Sequence, residues 1–155
     1  MLLRITKNQG KPHVILYRRD DGSETWMHAD DYFVRHDLSH YCLEKNLGYT
    51  TAFMGMLNNG MDIKDFEDRE KRKRLTITSD AMHAENLANL FLMEIAQGSF
   101  EDFNQTSKQS FESWNKEFPA PELLENDINS IRESLRALLH SWNQLSPGKT
   151  MELAF

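Results

Sequence analysis

The stretch His13-Val14-Ile15-Leu16-Tyr17-Arg18-Arg19-Asp20-Asp21-Gly22-Ser23-Glu24-Thr25-Trp26-Met27-His28 decides the fold class. Its first half is β-branched and aromatic, which suits a pleated, half-buried strand over His13 to Arg18. Asp20-Asp21-Gly22-Ser23 is hairpin-turn chemistry, with Gly22 supplying the positive φ that such turns demand. Glu24 to His28 then alternates polar and apolar through Thr25, Trp26 and Met27 and reads as the returning strand. On the N-terminal side, Asn8-Gln9-Gly10-Lys11-Pro12 is a turn, and Leu2 to Thr6 is a short apolar-rich strand. Residues 1–30 therefore predict a three-stranded antiparallel meander. A sheet of that size needs a helical layer on one face to be stable.

Beyond residue 30 the apolar period lengthens to that of a helix. A helix is predicted over 36–47, with Asp37 as N-cap or first-turn acid and Gly48 just past its end. Tyr49 to Asn59 carries Ala52, Phe53, Met56 and Leu57 at helical spacing, with Gly60 as a stop. Together 36–60 form a motif helix and a short helix. Within a helical region over 78–146, Ser79 or Thr78 caps a helix running to Gln97, with Asp80 in its first turn and Gly98 as its stop. Its buried face is Ala84, Leu87, Ala88, Leu90, Phe91 and Ile95. Phe103, Phe111, Trp114 and Phe118 form an aromatic stripe that reads as core, on a helix ended by Pro119 and Pro121. Leu124, Ile128, Ile131, Leu135, Leu138, Trp142 and Leu145 then alternate by fours and threes, an a/d stripe that needs a partner along its length. That partner is either the aromatic helix, giving a long C-terminal helical hairpin, or the same helix of a second copy, giving a homodimer. Residues 150–155 alternate again and read as a last strand closing on the N-terminal sheet. The expectation is an α+β fold in a single domain, 1–155: a small antiparallel sheet packed against four or five helices.

With 155 residues, the chain can bury a real core. Its formal net charge of −6 argues against a nucleic-acid or anionic-membrane surface. The basic run Lys71-Arg72-Lys73-Arg74 stands beside Asp62, Asp65, Glu67, Asp68 and Glu70, and reads as a solvated helix or linker. No apolar run approaches the roughly 18 residues of a membrane span, and the apolar stretch after Met1 is too short for a signal peptide. A lone cysteine, Cys42, excludes an internal disulfide and fits a reducing cytoplasm. Flanked by Tyr41 and Leu43, it reads as a small buried hydrophobe rather than a reactive thiol.

Chemistry concentrates in His36-Asp37-Leu38-Ser39-His40-Tyr41-Cys42-Leu43-Glu44. On a helix, positions 37, 40 and 44 share a face, and His36 and His40 are one turn apart. One reading is a divalent metal site for zinc, manganese, nickel or iron. The chelating pair is then His40 and Glu44, with Asp37 and His36 as further ligands. Asp80, His83 and Glu85 on the capped helix are the best supply of more, His83 first, while His13 and His28 on the strands are weaker candidates. Asp37 or Glu44 can also serve as general base for metal-assisted hydrolysis. The other reading is a buried polar network, in which Asp37 caps the helix, His40 is satisfied internally and Glu44 pairs with Arg18 or Arg19. A third, from another class, is a homodimeric interaction protein built on the long helix. The substrate is not legible.

The same residues carry a resemblance. His36-Asp37-Leu38-x-His40-x-x-x-Glu44, then Leu47-Gly48, then Phe53-x-Gly55 and Gly60, resembles a group of uncharacterised bacterial proteins. Their core reads approximately Pro-His-Asp-Leu-x-His-x-x-Val-Glu, preceded by a short sheet with an Asp-Gly-Ser turn and a nearby Trp, here Asp21-Gly22-Ser23 and Trp26. The likeness covers about residues 1–60. Arg35 replaces the usual proline and Leu43 the valine. The resemblance implies that His36, Asp37, His40 and Glu44 act together, and implies no particular activity.

Overall fold

In the computed structural model, residues 1–155 are described apart from 67, 69, 71–76 and 116. The basic run at 71–74 and Glu67 thus lie outside the described residues. Strands β1 (Leu2–Thr6), β2 (His13–Arg18), β3 (Glu24–Ala29) and β4 (Thr150–Ala154) form one antiparallel sheet in the order β3-β2-β1-β4. The turn closes as its sequence requires. Gly22 takes φ 85°, and Asp21 Oδ1 accepts from the Ser23 N–H at 2.8 Å. The closing strand pairs with β1 in the register Leu3↔Leu153.

Alternation along the strands buries Leu3, Ile5, Ile15 and Tyr17 on one face. That face is covered by α1 (Asp31–Leu47). The short α2 (Phe53–Asn58) and a 3₁₀ turn (Ile63–Phe66) follow, then α3 (Ser79–Gln97), α4 (Phe103–Trp114) and α5 (Glu125–Gln144). The fold is α+β, as the sequence indicates.

Three details differ from expectation, each for a physical reason. First, α1 begins five residues early. Asp30, not Asp37, caps it by accepting from the Phe33 N–H at 3.0 Å. Asp37 consequently sits inside the helix, on its buried face. Second, the apolar stripe of α5 packs on α1 of the same chain, not on the aromatic helix before it. Ile128, Ile131, Leu135 and Trp142 of the stripe are buried there, with Leu139 buried where the spacing marked Leu138, while Leu124 at the head of the stripe is 72% exposed. Third, α4 ends at Trp114, five residues before Pro119, and Trp114 is half-exposed rather than core.

Two glycines are required where they stand. Gly48 ends α1 in the left-handed region at φ 68°. Gly55 lets α2 approach the preceding turn: a Cβ there would lie 2.0 Å from the Thr50 carbonyl oxygen. At the start of α3, Thr78 caps by accepting from the Ala81 N–H at 3.1 Å. Asp80 Oδ2 accepts from Thr51 Oγ1 at 2.7 Å, fastening α3 to the turn before α2. These ties set α3 beside α1. No helix among the described residues is long and apolar enough to cross a membrane.

Candidate metal centre

The middle turns of α1 face the sheet on one side and α2 and α3 on the other. Val34, Leu38 and Leu43 anchor the helix in the core. Asp37, His40 and Glu44 are buried among them, at 5%, 2% and 0% exposure. Burying three ionisable groups costs several kcal/mol unless each is paired, and each is. Tyr17 on β2 donates its hydroxyl to Asp37 Oδ2. Burial first, and then the Asp37 carboxylate, hold the Tyr17 phenol well above its ordinary pKa. Glu44 Oε2 accepts from the Met54 N–H at the start of α2, at 2.9 Å. Glu44 Oε1 lies 2.9 Å from His40 Nδ1. The Nδ1–H therefore donates to Glu44, leaving Nε2 to face outward.

What Nε2 faces is Glu85, on α3. His40 Nε2 stands 3.4 Å from Glu85 Oε2, and His36 Nε2 stands 3.5 Å from Glu85 Oε1. Asn89, one turn further along α3, donates to Glu85 Oε1 at 3.0 Å and steadies it. The two imidazoles meet edge to face, 4.7 Å between centroids, and Tyr32 stacks on His36. His36 Nδ1 is 3.9 Å from Asp37 Oδ1. Among the described residues, His36, His40 and Glu85 are the one set of three or more such side chains whose ligand atoms all lie within 4.8 Å of one another. This His/His/Glu group can hold a metal ion.

The electrostatics follow from the geometry. Burial pushes the His36 imidazole down, but the carboxylates of Asp37 and Glu85 outweigh it and raise its pKa to about 9. His40 is likewise pushed down by burial and raised, on balance, by Glu44 and Glu85. Glu44 is raised by burial, against the pull of His40 and the backbone N–H groups. The two imidazoles hold the Glu85 carboxyl well below the usual carboxylate range. Without metal, the group is thus an ion-pair cluster.

Each imidazole stands opposite a different oxygen of Glu85. With one ligand atom taken from each residue the three lie within 4.8 Å of one another, a looser set than the roughly 3.4 Å between neighbouring ligands of a tetrahedral ion, so the three side chains would close in around a metal. Glu44 fixes the His40 ring through Nδ1, as carboxylates do behind histidines that ligate metals.

Of the sequence candidates, His36 and His40 are brought together at this group. Asp37 and Glu44 lie behind them, their oxygens engaged by Tyr17, Met54 and His40. His83 lies outside it: its Nε2 contacts the Pro119 carbonyl oxygen at 2.9 Å and its ring packs on Phe111. His13 is buried between Asn8, Asp31 and the Trp142 ring. His28 is exposed beside Trp26. The arginines proposed as partners of Glu44 are used elsewhere, Arg18 on Glu24 and Arg19 on the carbonyls of Leu57 and Met61. The residue whose role the sequence underplays is Glu85. Its signal was its place four residues before Asn89 and four after Ala81, on the flank of α3 that meets α1.

Comparison with protein-family models, with curated proteins and with solved structures finds no match to this chain.

Proposed function

We propose that the protein binds one divalent metal ion through His36 Nε2, His40 Nε2 and Glu85, and that this centre supports hydrolysis in the cytoplasm. The observation that carries the proposal is the convergence of two imidazole Nε2 atoms on one carboxylate, at 3.5 and 3.4 Å, with His40 held from behind by Glu44. Glu85 is half-exposed and pairs with both imidazoles when they are protonated, so a metal ion would take the place of the protons that the three groups share.

Three protein ligands leave coordination positions open, which is the pattern of catalytic rather than structural sites. When bound, a divalent ion supplies Lewis acidity and lowers the pKa of water. The chain's own residues do the positioning. Glu44 fixes the His40 tautomer, and Asp37, itself held by Tyr17, stands beside His36 Nδ1. The donors, two imidazoles and one carboxylate, suit zinc, manganese, nickel and ferrous iron. The four polar residues of the resemblance, His36, Asp37, His40 and Glu44, stand in or directly behind this cluster, which supports treating them as one unit.

The test is elemental analysis of protein purified without a histidine tag or chelator, beside His40→Ala and Glu85→Gln, with circular dichroism as a check on folding. About one ion per chain is expected in the parent and loss in both folded variants. A parent that takes up none of zinc, manganese, nickel or iron would refute the metal centre and leave a buried polar network.

A further inference from the structure

Beside His40 and Glu85 lies a pocket of ≈ 420 Å³, within the range of small-molecule sites. Apart from those two residues its walls are apolar: Phe53 and Met56 from α2, Phe66 from the 3₁₀ turn, Ile77 just before α3, Met82 in its first turn, and Trp114 at the end of α4. Ile77 and Trp114 are 49% and 51% exposed. Large apolar side chains left half in water at the mouth of a pocket mark a surface awaiting an apolar group. No Lys or Arg is among the described residues lining it. The one polar corner is the metal centre, where a divalent ion, two neutral imidazoles and one carboxylate sum to a single positive charge.

We propose that this pocket takes the apolar, preferably aromatic, part of a small ligand whose single oxygen-bearing head, a carboxylate or carbonyl, reaches the His36/His40/Glu85 centre. The inference rests on the metal reading above, and it narrows the substrates to esters or amides of apolar carboxylic acids. In their hydrolysis, water adds its oxygen to the carbonyl carbon. The bond to the leaving oxygen or nitrogen breaks, and a proton from water ends on the leaving group. Beyond the centre itself, the described residues of the lining offer no counter-charge to a highly charged substrate.

Two measurements test the pocket and the metal separately. The first uses [¹³C-methyl]methionine protein without metal and 2-naphthol as probe. Met56 and Met82 line the pocket, whereas Met27 and Met151 pack against the core from the sheet and Met93 is exposed elsewhere on α3. Naphthol should shift the Met56 and Met82 methyl signals and leave the other three in place, and Ile77→Asp at the rim should abolish the shifts. The second is calorimetric titration of zinc-loaded protein with benzohydroxamate and acetohydroxamate, which share a head and differ in the apolar part. Benzohydroxamate should bind at least about tenfold more tightly, and Ile77→Asp should erase the difference while leaving zinc affinity unchanged. Equal affinities together with unmoved Met56 and Met82 signals would overturn the pocket assignment even if zinc binds. Naphthol shifts in a protein that takes up none of zinc, manganese, nickel or iron would refute the metal reading instead, and with it the head-group half of this proposal.

Discussion

Metal affinity at this centre should rise steeply with pH, because protons compete for the same nitrogens. A histidine must be neutral to coordinate, and in the metal-free protein Asp37 and Glu85 raise the His36 pKa to about 9. At pH 7 a group of that pKa is about 99% protonated, which weakens apparent affinity about 100-fold. At pH 9 the weakening is about twofold. His36 alone therefore predicts about a fiftyfold gain in zinc affinity between pH 7 and pH 9, and the raised His40 steepens it. Binding at pH 7 should release about one proton from His36. Zinc titration against a competing chelator across this range measures the first quantity. Calorimetry in buffers of different ionisation enthalpy measures the second.

The stability of the metal-free protein should move the opposite way. His36 has a folded pKa above its unfolded value of about 6.5. Its contribution is fully present below pH 6.5 and is lost as pH rises through about 9. Metal-free parent should thus lose thermal stability over this window relative to His36→Gln, while the zinc-loaded parent holds or gains. Zinc affinity that stays flat from pH 7 to pH 9 would refute the ion-pair account of the cluster, and with it the claim that metal and protons share these nitrogens.

Other perturbations have signs fixed by the structure. Gly55→Ala would place a Cβ 2.0 Å from a backbone oxygen that cannot swing aside. It should lower unfolding free energy by about 1–3 kcal/mol in urea titration, and should weaken zinc binding because α2 carries the N–H that holds Glu44. Burial pushes the Cys42 thiol up to about 12, against the pull of Lys45. At pH 8 only roughly one molecule in ten thousand is thiolate, so an aromatic disulfide reagent should label Cys42 only as fast as the protein unfolds. Rapid stoichiometric labelling of folded protein would contradict that. Arg132 donates to both oxygens of the buried Glu94, at 2.8 and 2.7 Å. Arg132→Ala should cost about 2–3 kcal/mol, and a loss within experimental error would show that water replaces the guanidinium.

The sheet was legible because its signals are local. Period-two alternation and a single Asp-Gly-Ser turn specify a hairpin without reference to the rest of the chain. The length of α3 was legible for the same reason, from Thr78 at one end and Gly98 at the other. What was not legible depends on neighbours. The stripe of α5 announces that it needs a partner but does not name α1. The buried face of α3 was read correctly around Ala84, Leu87, Ala88 and Phe91. Nothing in its sequence said which helix lay on each flank. Residues 83 and 85 are about 200° apart around a helix, so only one could reach α1. The packing of α4 on the flank carrying His83 and Asn86 decided for Glu85. Asp37 misled because an acid near a helix start resembles a cap, and Asp30 does that work six residues after Gly-free strand β3 begins.

The buried polar set on α1 allows one more separation of stability from use. A buried ion pair replaced whole by apolar groups of similar volume is often neutral or stabilising, whereas removing one member strands the other. His40 and Glu44 satisfy each other at 2.9 Å, and apart from Glu85, which water can reach, their remaining hydrogen bonds are from the Met54 and Phe53 backbone N–H groups. Glu44→Met alone should therefore destabilise by about 3–5 kcal/mol. The double variant His40→Leu/Glu44→Met should recover part of that loss, less about 1–3 kcal/mol for each of the Met54 and Phe53 N–H groups it leaves without a buried acceptor. It should take up no metal. Recovery in the double variant would show that the fold tolerates losing the pair, so that its polarity serves what the imidazole binds. If single and double variants are equally destabilised, the pair is part of how α1 seats on α2, and the case for a centre at His40 would rest on metal uptake alone.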